Sequence, residues 1–372
     1  MNATLDTYST QSRSLWLRLH IDPWLLGGLL ALAGIGLLIL YSAGGGNPVL
    51  VYKQAARLGL AFTVMLALAQ VHPRTLYRWS PYLYAAGILL LVAVLGVGDV
   101  GKGARRWLDL GFVRFQPSEF VKIFTPMLVA RFLAQQPLPP GLKTLAWAGL
   151  WIALPVLLIA KQPDLGTALL VATAGGAVVF YAGISWRLLA VLGGAVLAAL
   201  PAVWMLLHDY QRDRVLMFLN PEQDPLGRGY HTIQAKIAIG SGGLRGKGWL
   251  GGTQSHLEFL PEPHTDFIFA VLAEEFGLIG CTALLGLYLF IVGRGMAMAL
   301  EAQDTFSRLL CGGLALTFFV YVFVNVGMVI GLLPVVGVPL PLVSYGGTSM
   351  VTLLAGFGIM MSLHTHRKLV PS

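Results

Sequence analysis

The stretch FLPEPHTDFIFAVLAEEFG, residues 259–277, sets Asp266 directly before a hydrophobic run that itself holds Glu274 and Glu275. Carboxylates are costly in and beside membrane-like apolar segments, and are functional candidates there by default. Pro261 and Pro263 stop any earlier helix, so one is expected to begin near Thr265 or Asp266. At that position Asp266 suits an ordinary helix N-cap. It equally suits removing a proton from a hydroxyl or holding a divalent metal. On one unbroken helix Glu274 falls about 80° and Glu275 about 180° around from Asp266. Such a helix cannot hide its acids from lipid unless it lies among other spans or beside a wet cavity.

A second constellation is GKGARRWLDLGFVRFQPSEFVKI, residues 101–123. Arginine forks match phosphate oxygens, which makes Arg105, Arg106 and Arg114, with Lys122, candidates for a phosphate or diphosphate group. Trp107 suits an interfacial anchor or the lining of a polar cavity. Pro117 fits a first helical turn, placing Glu119 near the positive end and Lys122 one turn below it, as an intramembrane pair or as working groups. In KQPDLGTALL, residues 161–170, Asp164 reads as an N-cap, a cavity residue, or both. Asn325 is a polar residue suited to bonding between helices.

The loop 237–266 is rich in glycine but is no phosphate-binding P-loop: Ser241 stands where its first glycine belongs, and Gly248 replaces the hydroxyl residue after Lys247. His256 and His264 lack a metal-ligand spacing. In GLLPVVGVPLPLVSYGGTSM, residues 331–350, Pro334, Pro339 and Pro341 with four glycines break one helix, and another is expected to start near Ser344. Broken backbone at membrane depth is tolerated only where it is buried or lines a cavity; a rigid turn is the simpler alternative. Thr265, His264 and Ser344, with Trp107, Glu119 and Asp164, make up the expected polar lining around Asp266.

These groups must be positioned by membrane helices. The 372 residues are 56% hydrophobic and 11% charged, with mean hydropathy +0.73, against about 25% charged for soluble domains. Apolar runs at 24–43, 56–72, 80–98, 117–134, 144–160, 165–183, 186–206, 266–292, 307–332 and 341–363 predict an all-α, polytopic membrane protein of ten spans in one domain. The first run is too long for a signal peptide and reads as an uncleaved helix. Cys281 and Cys311 lie in apolar runs and read as packing residues. Net charge is +8, which suits contact with anionic lipid; nucleic acid is excluded as a partner because no soluble basic domain could carry it.

Basic residues in the short loops favour both termini on the cytoplasmic side, with 1–23 the N-terminal segment and 364–372 the tail. Two outer segments run against that pattern. Residues 99–116 carry Lys102, Arg105, Arg106 and Arg114; the large loop 207–265 carries Arg212, Arg214, Arg228, Lys236, Arg245 and Lys247. Long loops are exempt from the rule; an outer anion-binding surface is the functional alternative, favoured by the shorter segment.

Four segments in order — GARRWLDLGFVRFQPSEFVKI, KQPDLGTALL, FLPEPHTDFIFAVLAEEFGLIG and GLLPVVGVPLPLVSYGGTSM — resemble the SEDS family (shape, elongation, division and sporulation) over residues 24–368. The short N-terminus and FQPSEFVKI are more similar to its elongation branch. The resemblance implies ten transmembrane helices and a large periplasmic loop between the seventh and eighth, in the bacterial cytoplasmic membrane. It implies a peptidoglycan glycosyltransferase that polymerises lipid II, working with a class B penicillin-binding protein and other membrane proteins of the elongation machinery. It makes Asp266 the essential aspartate, and Arg114, Glu119, Lys122 and Asp164 the other functionally important positions. Asp266 would then act as base on the acceptor 4-hydroxyl, and the arginines and Lys122, with Mg²⁺ or Mn²⁺, would steady the departing undecaprenyl diphosphate. One displacement with a single base predicts inversion. The rival expectations are a flippase for lipid-linked oligosaccharide and a scaffold that only binds a partner; charges gathered on one face favour the enzyme.

Overall fold

The computed structural model describes residues 19–101, 104–109, 114–206, 230–253 and 264–366, with Arg212, Leu216 and Phe218. Arg13, Arg18, Lys102, Arg214, Arg228, His256, Arg367 and Lys368 lie outside the described residues, as do the side chains of Arg105 and Arg114.

Each of the ten apolar runs forms a helix. They are α1 Pro23–Ala43, α2 Pro48–Ala69, α3 Pro73–Val97, α4 Pro117–Ala134, α5 Leu142–Lys161, α6 Leu165–Tyr181, α7 Trp186–Leu206, α9 Ile268–Leu300, α10 Thr305–Val329 and α11 Thr348–Thr365. An eleventh, α8 Tyr230–Gly242, lies within the long loop. Seven of these helices are long and apolar enough to cross a membrane. Local chemistry sets many of the starts. Proline opens α1 to α4, where its missing N–H costs nothing. Asp22, Asn47, Asp164 and Asp304 cap α1, α2, α6 and α10 through side-chain oxygens.

Helix α10 is the central column, packed against α4, α6, α9 and α11. Helix α11 lies along α2, and Gly358 fits so tightly against the Met65 carbonyl that no Cβ could be added, the small-residue packing usual between membrane helices.

Between α3 and α4 the basic segment is a small antiparallel sheet of β1 Asp99–Gly101, β2 Ala104–Asp109 and β3 Arg114–Phe115. Arg105 pairs in register with Val100, and Arg114 with Asp109. Between α10 and α11 the chain is irregular over 330–347 yet deeply buried, with Val338, Leu340, Leu342 and Val343 at most 3% exposed. A Cβ on Gly36 of α1 would come within 2.6 Å of the Leu342 carbonyl. Gly36 lies seven residues before the end of α1, about 10 Å inside it, so this segment re-enters the membrane layer as buried broken backbone rather than forming an outer turn.

Candidate active site

Asp266 is not on a helix. Residues 264–267 form a turn, α9 begins at Ile268, and its N-cap is Phe267 with no side-chain cap bond. The expected N-cap role is therefore wrong, and so are the angles drawn from an unbroken helix. Long-range bonds override local propensity. The Tyr345 N–H donates to His264 O at 2.8 Å. Ser344 Oγ donates to Thr265 O at 2.6 Å. Asn325 Nδ2 donates to Asp266 O at 3.0 Å and to Val338 O at 2.7 Å. Three consecutive carbonyls are thus held by groups from α10 and the re-entrant segment. Gln54 of α2 completes the frame, donating to Ser344 O at 3.1 Å, while Ser344 Oγ accepts from Leu340 N–H at 2.8 Å.

Asp266 is half-buried. Gly337 runs beside it at φ +75, and a Cβ there would stand 3.6 Å from Asp266 Oδ2. A side chain at 337 would be strained by that backbone conformation. Val336, the preceding residue, touches Gly166 of α6, which brings the neighbourhood of Asp164 alongside.

Asp164 is the cap of α6, and its second carboxylate oxygen faces the small sheet. Its Oδ1 accepts from Thr167 N–H at 3.2 Å, and Oδ2 accepts from Gln116 Nε2 at 2.9 Å. Arg106 approaches Oδ2 at 3.9 Å and donates to Pro163 O. Arg106 therefore ties the small sheet to the α6 entrance, with a third of its side chain exposed (33%). Trp107 beside it is half-buried.

Lys122 and Glu119 are an intramembrane pair. Nζ to Oε1 is 2.6 Å, and the side chains are only 6% and 7% exposed. Thr352 Oγ1 of α11 donates to the other carboxylate oxygen at 3.1 Å, and the ammonium stands 5.1 Å from the Tyr321 ring centroid. Tyr321 precedes Asn325 by four residues on α10, so the pair lies roughly one turn, about 6 Å along the axis, from the Asp266 backbone. It sits inside the bundle rather than on the face. A cavity of about 30 Å³ adjoins it, lined by Lys122, Thr317, Tyr321, Thr352 and apolar neighbours; that suits one or two waters.

Glu274 and Glu275 were expected within the span. Gly277, at φ +63, breaks the 33-residue α9 into two helices. The part beyond it, residues 278–300, is long enough alone, about 35 Å, to cross the apolar layer. The acids, on the other side of the kink, therefore sit at the edge of that spanning part. Glu274 Oε1 accepts from Lys247 Nζ at 2.7 Å, Thr253 N–H at 2.8 Å and Thr253 Oγ1 at 3.0 Å. Glu275 accepts from Ser42 Oγ of α1.

Sequence reasoning missed Arg57. Its guanidinium lies 4.6 Å from the Tyr345 ring centroid and beside Gly347, against the residues that hold the 264–266 turn. The signal was present: α2 starts at Pro48, so Arg57 is an ionisable residue well inside a span rather than at its edge.

Among the described residues, no group of three His, Cys, Asp or Glu side chains is arranged to hold a metal. Asp164 and Glu119 are engaged by Gln116 and Thr167, and by Lys122 and Thr352. This donor set does not build a protein cage. Asp266 alone could offer one carboxylate, so a Mg²⁺ or Mn²⁺ ion would need most of its oxygen ligands from outside the protein.

A bundle of membrane helices that pins an acid in a turn and holds charged pairs in its interior is the framework of a membrane-embedded enzyme. Residues 23–369 match the family model FTSW_RODA_SPOVE, "Cell cycle protein", and the chain belongs to that family. It is 55% identical to the peptidoglycan glycosyltransferase MrdB of Escherichia coli K12, over 98% of this chain and 99% of the relative. It is 40% identical to the probable peptidoglycan glycosyltransferase FtsW of Trichlorobacter lovleyi over 79% and 78%. A chain from a peptidoglycan synthase complex that coordinates polymerization and crosslinking superposes with a TM-score of 0.80 at 38% identity, covering 93% of this chain and 99% of that one. The rod shape determining protein RodA of Thermus thermophilus gives 0.71 at 33%, over 93% and 98%.

Proposed function

We propose that Asp266 is the general base of a glycosyl transfer that joins lipid-linked sugars. The chain is a peptidoglycan glycosyltransferase, as the relatives that match it nearly end to end are named; the flippase and scaffold readings give way to an enzyme. In the reaction we propose, Asp266 takes the proton from the 4-hydroxyl of an acceptor lipid II. The oxygen then attacks the anomeric carbon of the growing chain, and the bond to undecaprenyl diphosphate breaks with inversion. Base catalysis of this kind is worth about 10²–10⁴ in rate.

The carrying observation is the turn itself. His264, Thr265 and Asp266 each accept a bond from a distant residue, which fixes where the carboxylate stands while keeping it off the helix. Arg105, Arg106 and Arg114 belong to the small sheet that reaches the entrance of α6, where diphosphate charge would develop. Lys122 contributes from beneath, tempered by Glu119. Asp266 would be the protein's ligand to a divalent cation carried by the diphosphate, and such a cation would supply charge neutralisation for the leaving group.

The short-loop charges support both termini in the cytoplasm and this site on the periplasmic face of the bacterial inner membrane. A class B penicillin-binding protein as partner is supported by the likeness to a synthase-complex chain. Lipid II polymerisation on a gel tests the base. Asp266→Asn keeps shape and removes basicity, and is expected to lower the rate by about 10²–10⁴, with or without Mg²⁺. Undiminished polymer from that variant refutes the assignment.

A further inference from the structure

Beyond the kink in α9, the turn that follows α8 does more than connect. Its backbone is joined to the kink: Lys247 N–H donates to Glu274 O and Gly248 N–H to Glu275 O, each at 3.0 Å, while Leu278 N–H and Ile279 N–H donate to Gly243 O and Leu244 O at 2.9 and 3.2 Å. Gly246, at φ +76, lies so close to the Glu275 carbonyl that no Cβ fits. Leu244 is therefore level with Ile279, inside the spanning part of α9.

A second mark of depth is independent. The Trp249 indole N–H donates to Leu38 O at 3.3 Å, and its ring lies 5.8 Å from that of Tyr41. Leu38 is five residues before the end of α1, about 7 Å inside it. At that level Leu244, Trp249 and Leu250 are 69%, 48% and 41% exposed, and Arg245 between them is exposed too. Aromatic rings paired at the end of a spanning helix mark the headgroup layer, and an exposed arginine among apolar neighbours suits lipid phosphate.

We propose that the 243–250 turn is an interfacial foot, seated in the phospholipid leaflet on the same side as Asp266. Leu244, Trp249 and Leu250 enter the upper acyl layer, and Arg245 meets the phosphates. Through Lys247 and Thr253 on Glu274, eight residues beyond Asp266, the foot fixes the height of the site above the lipid.

The test compares wild type and Trp249→Phe in phosphatidylcholine–phosphatidylglycerol vesicles, with and without phospholipid brominated on the upper acyl carbons. The emission that Trp249→Phe removes is expected to be lost in brominated lipid and indifferent to aqueous iodide. Quenching by iodide alone overturns the foot. So does shielding from both quenchers, the result for a turn covered by a second copy or a protein partner. A nitroxide at Arg245→Cys gives the same reading if the tryptophan variant misfolds: greater access to oxygen than to a water-soluble nickel complex is expected, and the reverse overturns the proposal.

Discussion

Replacing Asn325 with leucine isolates what holds the acid in place. The two side chains share heavy-atom count and branching, and leucine adds only moderate bulk at a site that is fully buried at 0% exposure, so the main change is the loss of polar groups. Two hydrogen bonds are lost, those to Asp266 O and Val338 O. At the average for side-chain bonds inside membranes, ~0.6 kcal/mol each, the loss is about 1 kcal/mol. At the cost of leaving buried acceptors bare, ~1–3 kcal/mol each, it reaches about 6 kcal/mol. The Val338 carbonyl belongs to a residue only 3% exposed, whereas Asp266 is half-buried, which favours an intermediate figure of about 3 kcal/mol. The catalytic effect is separate. Release of the Asp266 carbonyl lets the carboxylate drift, and misplacement by about 1 Å costs roughly 10²-fold in rate. Initial rates of lipid II polymerisation across substrate concentrations should show kcat falling by about that factor, with KM changed far less. A wild-type kcat in a folded Asn325→Leu protein would refute the idea that this pinned turn positions the base.

Three further outcomes follow from the geometry. Breaking the buried pair on one side only, by Lys122→Met or Glu119→Gln, should cost about 3–5 kcal/mol, and the double replacement Lys122→Met with Glu119→Met should recover much of it; thermal unfolding in detergent measures both. Gly246→Ala forces a Cβ into the Glu275 carbonyl and should destabilise by about 1–3 kcal/mol, read as a lower Tm. At the other end of the bundle His20 stacks on His366 at 3.7 Å, with His72 edge-on at 5.2 Å. Burial first, and then the neighbouring His366, pull the His20 and His72 imidazoles below their ordinary value of 6.5. The unfolded chain then binds more protons, so this stability is whole above pH 6.5 and is lost as pH falls through the lowered values. His366→Gln should flatten that acid-side decline in Tm.

The helices were legible because each is a long apolar run whose start is written locally, by proline or by a capping side chain such as Asp164. The Glu119–Lys122 pair was legible for the same reason, since three positions on a helix set its geometry. The turn at Asp266 was not. Its conformation is imposed by Ser344, Tyr345 and Asn325, between 59 and 81 positions away, and no local pattern encodes that. The kink at Gly277 has no local signal either, because it is set by the 243–248 backbone hydrogen-bonded across it. Arg57 escaped notice because the apolar run was taken to begin beside it, whereas the helix starts nine residues earlier.

Helix α10 and the re-entrant segment that follows it supply the grip on His264, Thr265 and Asp266, and both are made after α9. A nascent chain that has inserted α9 already carries its aspartate but has nothing to hold it still. If Asp266 is the base proposed above, chemical competence arrives only when synthesis has passed residue 345, and a half-built polypeptide is idle until then.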